Sequence, residues 1–240
     1  MKGMTALRIY AGPKARRHIE RHGLHAGDIG VVPGAAGGPK GLVLGPLDRF
    51  IFGEWLERVV FSSPSEGATT PLPFATGDYR TRQVTLAEAN FSAALQASCS
   101  IPFALKAIHD IPGAPPGAYW DGGITDYHLH LDYCAGEGRG LVLYPHFQKS
   151  VVPGWLDKSL RWRHGATHFL DTTVVLAPDP QWVSSLPGAK LPDRTDFTRF
   201  GTDLQARMTA WNAAVSASRQ LADEFQAWLA RPDLRRVEVL

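Results

Sequence analysis

The chain has 240 residues, 44% of them hydrophobic and 20% charged, with 25 basic against 23 acidic side chains and a formal charge of +2. That is ordinary globular composition, and the length suffices for a single large α/β domain with a sizeable core. So even a balance supplies no basic excess for a phosphate backbone, and nucleic acid is not an expected partner.

The N-terminal stretch through His18 turns basic before any long apolar run, so no secretory leader is expected. No segment approaches the roughly 18 apolar residues that cross a bilayer. Cys99 and Cys134 are the two cysteines, too far apart for a zinc knuckle or a redox CxxC pair. They read as idle or buried thiols in a reducing compartment, so the expectation is a soluble, cytoplasmic chain.

In chain order, Gly30-Val31-Val32 reads as a buried strand entering the glycine-rich stretch Gly34 to Gly41. Val43, Leu47, Phe50, Ile51 and Trp55 then recur at helical spacing, with Pro46 kinking or delaying the start. Val59 to Ser62 reads as a short strand, and Ser63 to Leu72 as a loop rich in Ser, Pro, Thr and Gly. The pattern from Leu86 to Leu95 predicts a helix ending near Ser98 to Ser100, because the residue before Pro102 avoids helical geometry. Tyr119-Trp120-Asp121-Gly122-Gly123 reads as a strand meeting a tight turn. Leu141 to Tyr144 and Thr173 to Leu176 are continuous apolar runs suited to central strands buried on both faces.

Leu204, Met208, Trp211, Val215, Ser218, Ala222, Phe225 and Leu229 alternate spacings of four and three. They predict one buried face of a long amphipathic helix, with Pro232 as its stop, in a C-terminal helical cover over about 196–231. Strands alternating with helices predict an α/β fold with a mostly parallel sheet, over one domain spanning 1–240.

Two stretches can hold chemistry, and a third, from which no chemistry follows in isolation, accompanies them. In Gly34 to Gly41, Gly37 and Gly38 lack a Cβ, so their N–H groups can approach a ligand closely, and Pro39 suits the first position of a helix. Orphan N–H groups at such a helix start attract a phosphate or the oxyanion of an acyl-transfer intermediate. Lys40 is followed by Gly41 rather than Ser or Thr, which excludes a Walker A loop. The alternative is a turn needing glycine only for its shape. In the second stretch, Asp121 at a strand end beside Gly122 and Gly123 can act as a proton acceptor; the alternative is a plain Asp-Gly hairpin turn. The third, Ala97-Ser98-Cys99-Ser100-Ile101-Pro102, places small residues where a helix end can pack closely on a neighbouring loop.

The order of these stretches resembles the patatin-like phospholipase family. Its members share a GGGx(K/R)G oxyanion loop, a GxSxG nucleophile elbow, an Ala-Ser-x-(Ala/Ser)-x-Pro segment and an Asp-Gly-Gly or Asp-Gly-Ala motif. The loop stands here as Ala36-Gly37-Gly38-Pro39-Lys40-Gly41, the third element as Ala97 to Pro102 and the fourth as Asp121-Gly122-Gly123. The resemblance covers roughly 28–132 and implies a three-layer α/β/α fold. It implies hydrolysis of a lipid or related carboxylic ester by a Ser-Asp dyad, with no metal or other cofactor. Asp121 would be the base, Gly37 and Gly38 the oxyanion donors, and Lys40, Gly41, Gly122 and Gly123 supporting residues.

The nucleophile departs from the pattern. No GxSxG occurs in the 240 residues. The nearest string is Ser63-Pro64-Ser65-Glu66-Gly67, but Ala68-Thr69-Thr70-Pro71 after it makes a poor helix start for an elbow centred on Ser65. Trp55-Leu56 runs almost directly into Glu57-Arg58-Val59, as though an internal block were absent near Leu56 or Glu57. A stretch of the chain outside these residues, a deletion, and a natural non-catalytic lipid- or protein-binding relative all fit that pattern.

Two further groups stand out. In a strand, His128 and His130 would share a face with Asp126 and Asp132 beside them, the beginnings of a metal-dependent hydrolase site without an identifiable third ligand. Trp155-Leu156 and Leu160-Arg161-Trp162-Arg163 mix tryptophan with arginine, which suits either peripheral contact with a membrane surface or a helical cover with exposed arginines.

Overall fold

The computed structural model describes residues 4–24, 29–30, 37–39, 56–63, 72–102, 104–133 and 140–240. The fold is mixed α/β with a long C-terminal helix, in two compact units. One comprises Met1–Ile29, Leu143–Lys149 and Thr173–Leu240; the other comprises Gly30–Val142 and Ser150–Thr172.

The first unit holds most of a five-stranded sheet. Its strands are β1 (Leu7–Ala11), β2 (Ile29–Gly30), β8 (Leu141–Pro145), β9 (Thr173–Pro178) and β10 (Val237–Val239), in the order β10-β1-β9-β8-β2. β1 pairs parallel with β10 (Ile9 opposite Val237) and antiparallel with β9 (Ile9 opposite Leu176). β8 and β9 run parallel, since Val142 N–H donates to Thr172 O and His146 N–H to Leu176 O. The apolar runs read as central strands are these two, and Val174 to Ala177 are buried throughout. Helix α1 (Pro13–His22) follows Gly12 with Pro13 at its first position and ends at Gly23, whose φ of 72° a side chain would resist. The sequence pattern did not disclose β1 and β10, because Leu7-Arg8-Ile9-Tyr10-Ala11 puts an arginine inside a five-residue strand.

Three later helices of this unit are α4 (Pro180–Ser184), α5 (Thr195–Phe200) and α6 (Leu204–Ala230). The side chain of Asp203 caps α6 by accepting from Ala206 N–H at 2.9 Å, and the helix stops before Pro232. Its buried face is not the expected one. Leu204, Met208 and Val215 are exposed, at 54%, 48% and 66%. Ala214 and Trp228 are buried instead, and Ala214, Ala217 and Leu221 pack with Trp182, Leu186 and Ala6. The stripe is turned by one residue, about 100° around the helix. Polar side chains set that turn: Glu224 accepts from the N–H groups of Ala6 and Leu7 at 2.8 and 3.1 Å, and Gln220 accepts from the Trp182 indole at 3.2 Å.

The second unit contains β3 (Gly37–Pro39), β4 (Glu57–Ser62) and β5 (Arg80–Thr85), with β4 antiparallel to β3 and parallel to β5. It also contains helix α2 (Glu88–Ser98), the hairpin of β6 (Ile108–His109) and β7 (Ala118–Tyr119), and the single turn α3 (Gly123–Asp126). β4 and α2 lie where the patterning placed them. Alternation along β4 sends Val59 and Phe61 into a cluster with Ala94, Ala97, Ile111 and Tyr119. Val60 joins Phe74, Leu131, Tyr133 and Val142 in a second cluster, and Arg58 shares that side of the strand by the same period of two. At the start of α2, Asn90 accepts from Ala87 N–H and donates to Thr85 O and Pro112 O, all within 3.1 Å.

Candidate functional site

Asp121 lies between β7 and α3. The end of β7 is fixed by burial of Tyr119, whose hydroxyl donates to Pro115 O. Asp121 N–H donates to Ser100 O at 3.0 Å, which ties the turn to the small-residue segment after α2. Its Oδ1 accepts from Gly123 N–H at 2.7 Å, an Asx turn that opens the helical turn α3 rather than a hairpin. A Cβ on Gly123 would stand 3.1 Å from that oxygen, so glycine here lets the backbone close on the carboxylate. No described group donates to Oδ2.

Asp121, Gly122, Gly123 and Ser98 line one cavity of about 250 Å3. Val60, Phe74, Leu129 and Leu131 form its apolar wall, and Arg58 and Asp126 its charged one. Arg58 is only 3% exposed. Its Nη1 and Nη2 donate to the two oxygens of Asp78 at 2.7 and 2.9 Å. Its Nε and Nη2 donate to the two oxygens of Asp126, both at 2.9 Å. The Thr125 hydroxyl also donates to Asp126 Oδ2 at 2.9 Å. Burial by itself would lower the pKa of this guanidinium, but Asp126 and Asp78 together hold it above its ordinary value. The acceptors of Asp126 are thus occupied, whereas Asp121, which also lines the cavity, accepts a described hydrogen bond at Oδ1 alone.

The ion triad is the part of the site that sequence reasoning missed. Its one local signal is an arginine on the inward side of the otherwise apolar run Val59-Val60-Phe61. The partners, Asp78 and Asp126, lie 20 and 68 residues away along the chain. Comparison with protein-family models, with curated proteins and with solved structures returned no match.

The glycine stretch is described only at Gly37–Pro39, where it forms β3 rather than a turn into a helix. Gly37 lies opposite Val60, Gly38 opposite Val59 and Pro39 opposite Arg58. Pro39, which lacks an N–H, is tolerated there because β3 is an edge of the three-stranded sheet. Lys40, Gly41, the helix expected over Val43 to Trp55, and Ser65 lie outside the described residues.

The stretch from Asp126 to Asp132 does not form the strand that a shared histidine face would need. Asp126 closes α3, and Leu129 has a φ of 49°. His130 Nδ1 donates to Val151 O at 2.9 Å, which leaves Nε2 to accept from the Thr167 hydroxyl at 2.8 Å. His128 Nδ1 accepts from Val152 N–H at 3.0 Å. These imidazoles brace the segment 151–152 instead of sharing a face, and among the described residues no cluster of three His, Cys, Asp or Glu groups could hold a metal. Cys99, expected idle or buried, is an exposed free thiol, and Cys134 lies outside the described residues. Among the described residues no helix is long and apolar enough to cross a membrane.

Proposed function

We propose that the chain hydrolyses a carboxylic ester of a lipid, as a patatin-like acyl hydrolase with a three-layer α/β/α arrangement, and that Asp121 is its base. The supporting observation is the Asp121 carboxylate: Oδ1 is pinned by Gly123 N–H, and Oδ2 has no described donor at the wall of a largely apolar cavity. A base held in this way takes a proton from an attacking hydroxyl without first breaking a hydrogen bond of its own. The hydroxyl oxygen adds to the ester carbonyl, and the resulting oxyanion requires preorganised N–H donors, the role assigned to Gly37 and Gly38. Collapse expels the alcohol, which takes the proton back from Asp121, and water then releases the acid from the acyl-enzyme. A cavity of about 250 Å3 is below the usual range of roughly 300–1,000 Å3 for a drug-sized ligand. It suits the ester group and the start of one acyl chain. Trp162, 74% exposed beside Arg161, suits contact with a lipid surface.

The test combines turnover of a lysophospholipid with fluorophosphonate labelling and mass mapping of the labelled peptide. Wild type is expected to hydrolyse the lipid and to label on one serine, with Ser98 and Ser65 as the serines to inspect first. Asp121→Asn is expected to lower kcat by about 10²-fold or more, the usual scale for a lost general base. Unchanged turnover in that variant would overturn the assignment of Asp121. Lipid binding without turnover or labelling would replace the enzyme by a non-catalytic lipid-binding protein.

A further inference from the structure

The first unit contains a larger cavity, of about 650 Å3, within the range that holds small organic ligands. It opens at the carboxyl ends of the parallel strands β8 and β9, where the chain leaves the sheet through Phe147 to Lys149 and through Pro178 to Pro180. Open α/β sheets bind ligands at that edge because successive chain turns diverge there and leave a crevice. Pro178, Pro180, Val183 and Leu191 supply a rigid apolar wall, and the Tyr10 ring closes another side.

Two ammonium groups border this wall, and they differ. Lys190 is paired with Asp193 at 3.1 Å and Asp196 at 2.9 Å, so its charge is already compensated. Lys149 instead stands 5.0 Å from the centre of the Tyr10 ring, and its contact among the described residues is that ring rather than a carboxylate. A cation beside an apolar trough is complementary to a molecule with one anionic end and a hydrocarbon body. Burial raises the pKa of the Tyr10 hydroxyl above its ordinary value.

We propose that this cavity is a binding site for an amphiphilic monocarboxylate such as a free fatty acid. The carboxylate engages Lys149, and the chain lies along Pro178, Pro180, Val183 and Leu191. The site is separate from the Asp121 cavity and does not rest on the ester-hydrolase reading.

The probes are decanoate and decanol, titrated calorimetrically into the Asp121→Asn chain so that binding is read without turnover. Decanoate is expected to bind at least about tenfold more tightly than decanol, the low end of what a hydrogen bond to a charged group contributes. Lys149→Met is expected to remove that preference while leaving decanol within about twofold, because the stem of methionine keeps the apolar contact. Phe147→Asp, at a half-exposed position lining the cavity, is expected to weaken both probes. With 13C-labelled lysine, the Lys149 ε-methylene signal is expected to move on adding decanoate. Equal affinity for the two probes, an unaffected Lys149→Met variant, or an unmoved Lys149 signal would each overturn the proposal.

Discussion

Replacing Arg58 by methionine keeps most of the side-chain volume and removes the charge that Asp78 and Asp126 share. Each carboxylate meets the guanidinium in two hydrogen bonds of 2.7–2.9 Å. At an effective dielectric constant of about 20 and a charge separation of about 4 Å, each pair is worth roughly 4 kcal/mol of gross attraction. Desolvation of the three ions offsets much of that in the intact protein. In Arg58→Met the desolvation remains and the attraction is gone, because Asp78 and Asp126 are still only 15% and 11% exposed. Removal of one partner from such a group costs about 3–5 kcal/mol. Hydrogen–deuterium exchange over 56–62 and 80–85 reads this locally, so that unfolding of the other unit does not enter the measurement. Protection there is expected to fall by roughly 10²- to 10³-fold, at 1.4 kcal/mol per factor of ten. The triple variant Arg58→Met, Asp78→Asn, Asp126→Asn is expected to recover more than half of the loss, since it removes the two carboxylate charges that face the guanidinium. Protection in Arg58→Met within threefold of wild type would refute the reasoning, because the carboxylates would then be stabilised well enough without the guanidinium.

Two further outcomes are expected. On α6, Val215→Glu should change stability by less than about 0.5 kcal/mol, whereas Ala214→Glu, one residue away, should cost several times as much; urea unfolding of the pair decides which face is buried. Asp196 bonds to Lys190 and to the Trp211 indole, and these interactions lower its pKa from 3.8 to about 2. A depressed carboxyl stabilises the folded state above its unfolded pKa and loses that effect as pH falls through the folded one. The contribution is therefore complete above about pH 4 and lost toward pH 2. Asp196→Asn should flatten the decline of thermal stability across that window, and an unchanged acid profile would remove Asp196 as its source.

Elements whose cause is local were legible in the residues themselves. Val59-Val60-Phe61, Leu141 to Tyr144 and Thr173 to Leu176 are strands because short apolar runs with β-branched or aromatic members bury well in a sheet. The C-terminal ends of α2 and α6 lie shortly before Pro102 and Pro232, since the residue preceding a proline avoids helical geometry. Asp121-Gly122-Gly123 was legible as a turn, because an Asx turn needs only its own residues.

What tertiary structure decided has causes distant in sequence. The α6 periodicity shows that one face is buried, but Glu224 and Gln220, meeting Ala6, Leu7 and Trp182, select which face it is. Pro39 by its own geometry suits a helix start, and pairing with β4 places it in an edge strand instead. The histidines of 128–130 fit a metal site until the backbone at Val151 and Val152 takes up their nitrogens. Arg58 is a charge in a strand until Asp78 and Asp126 arrive to make its burial tolerable. A buried polar group is set by partners that only the folded chain brings within 3 Å, and for that reason apolar periodicity locates the core more readily than the chemistry.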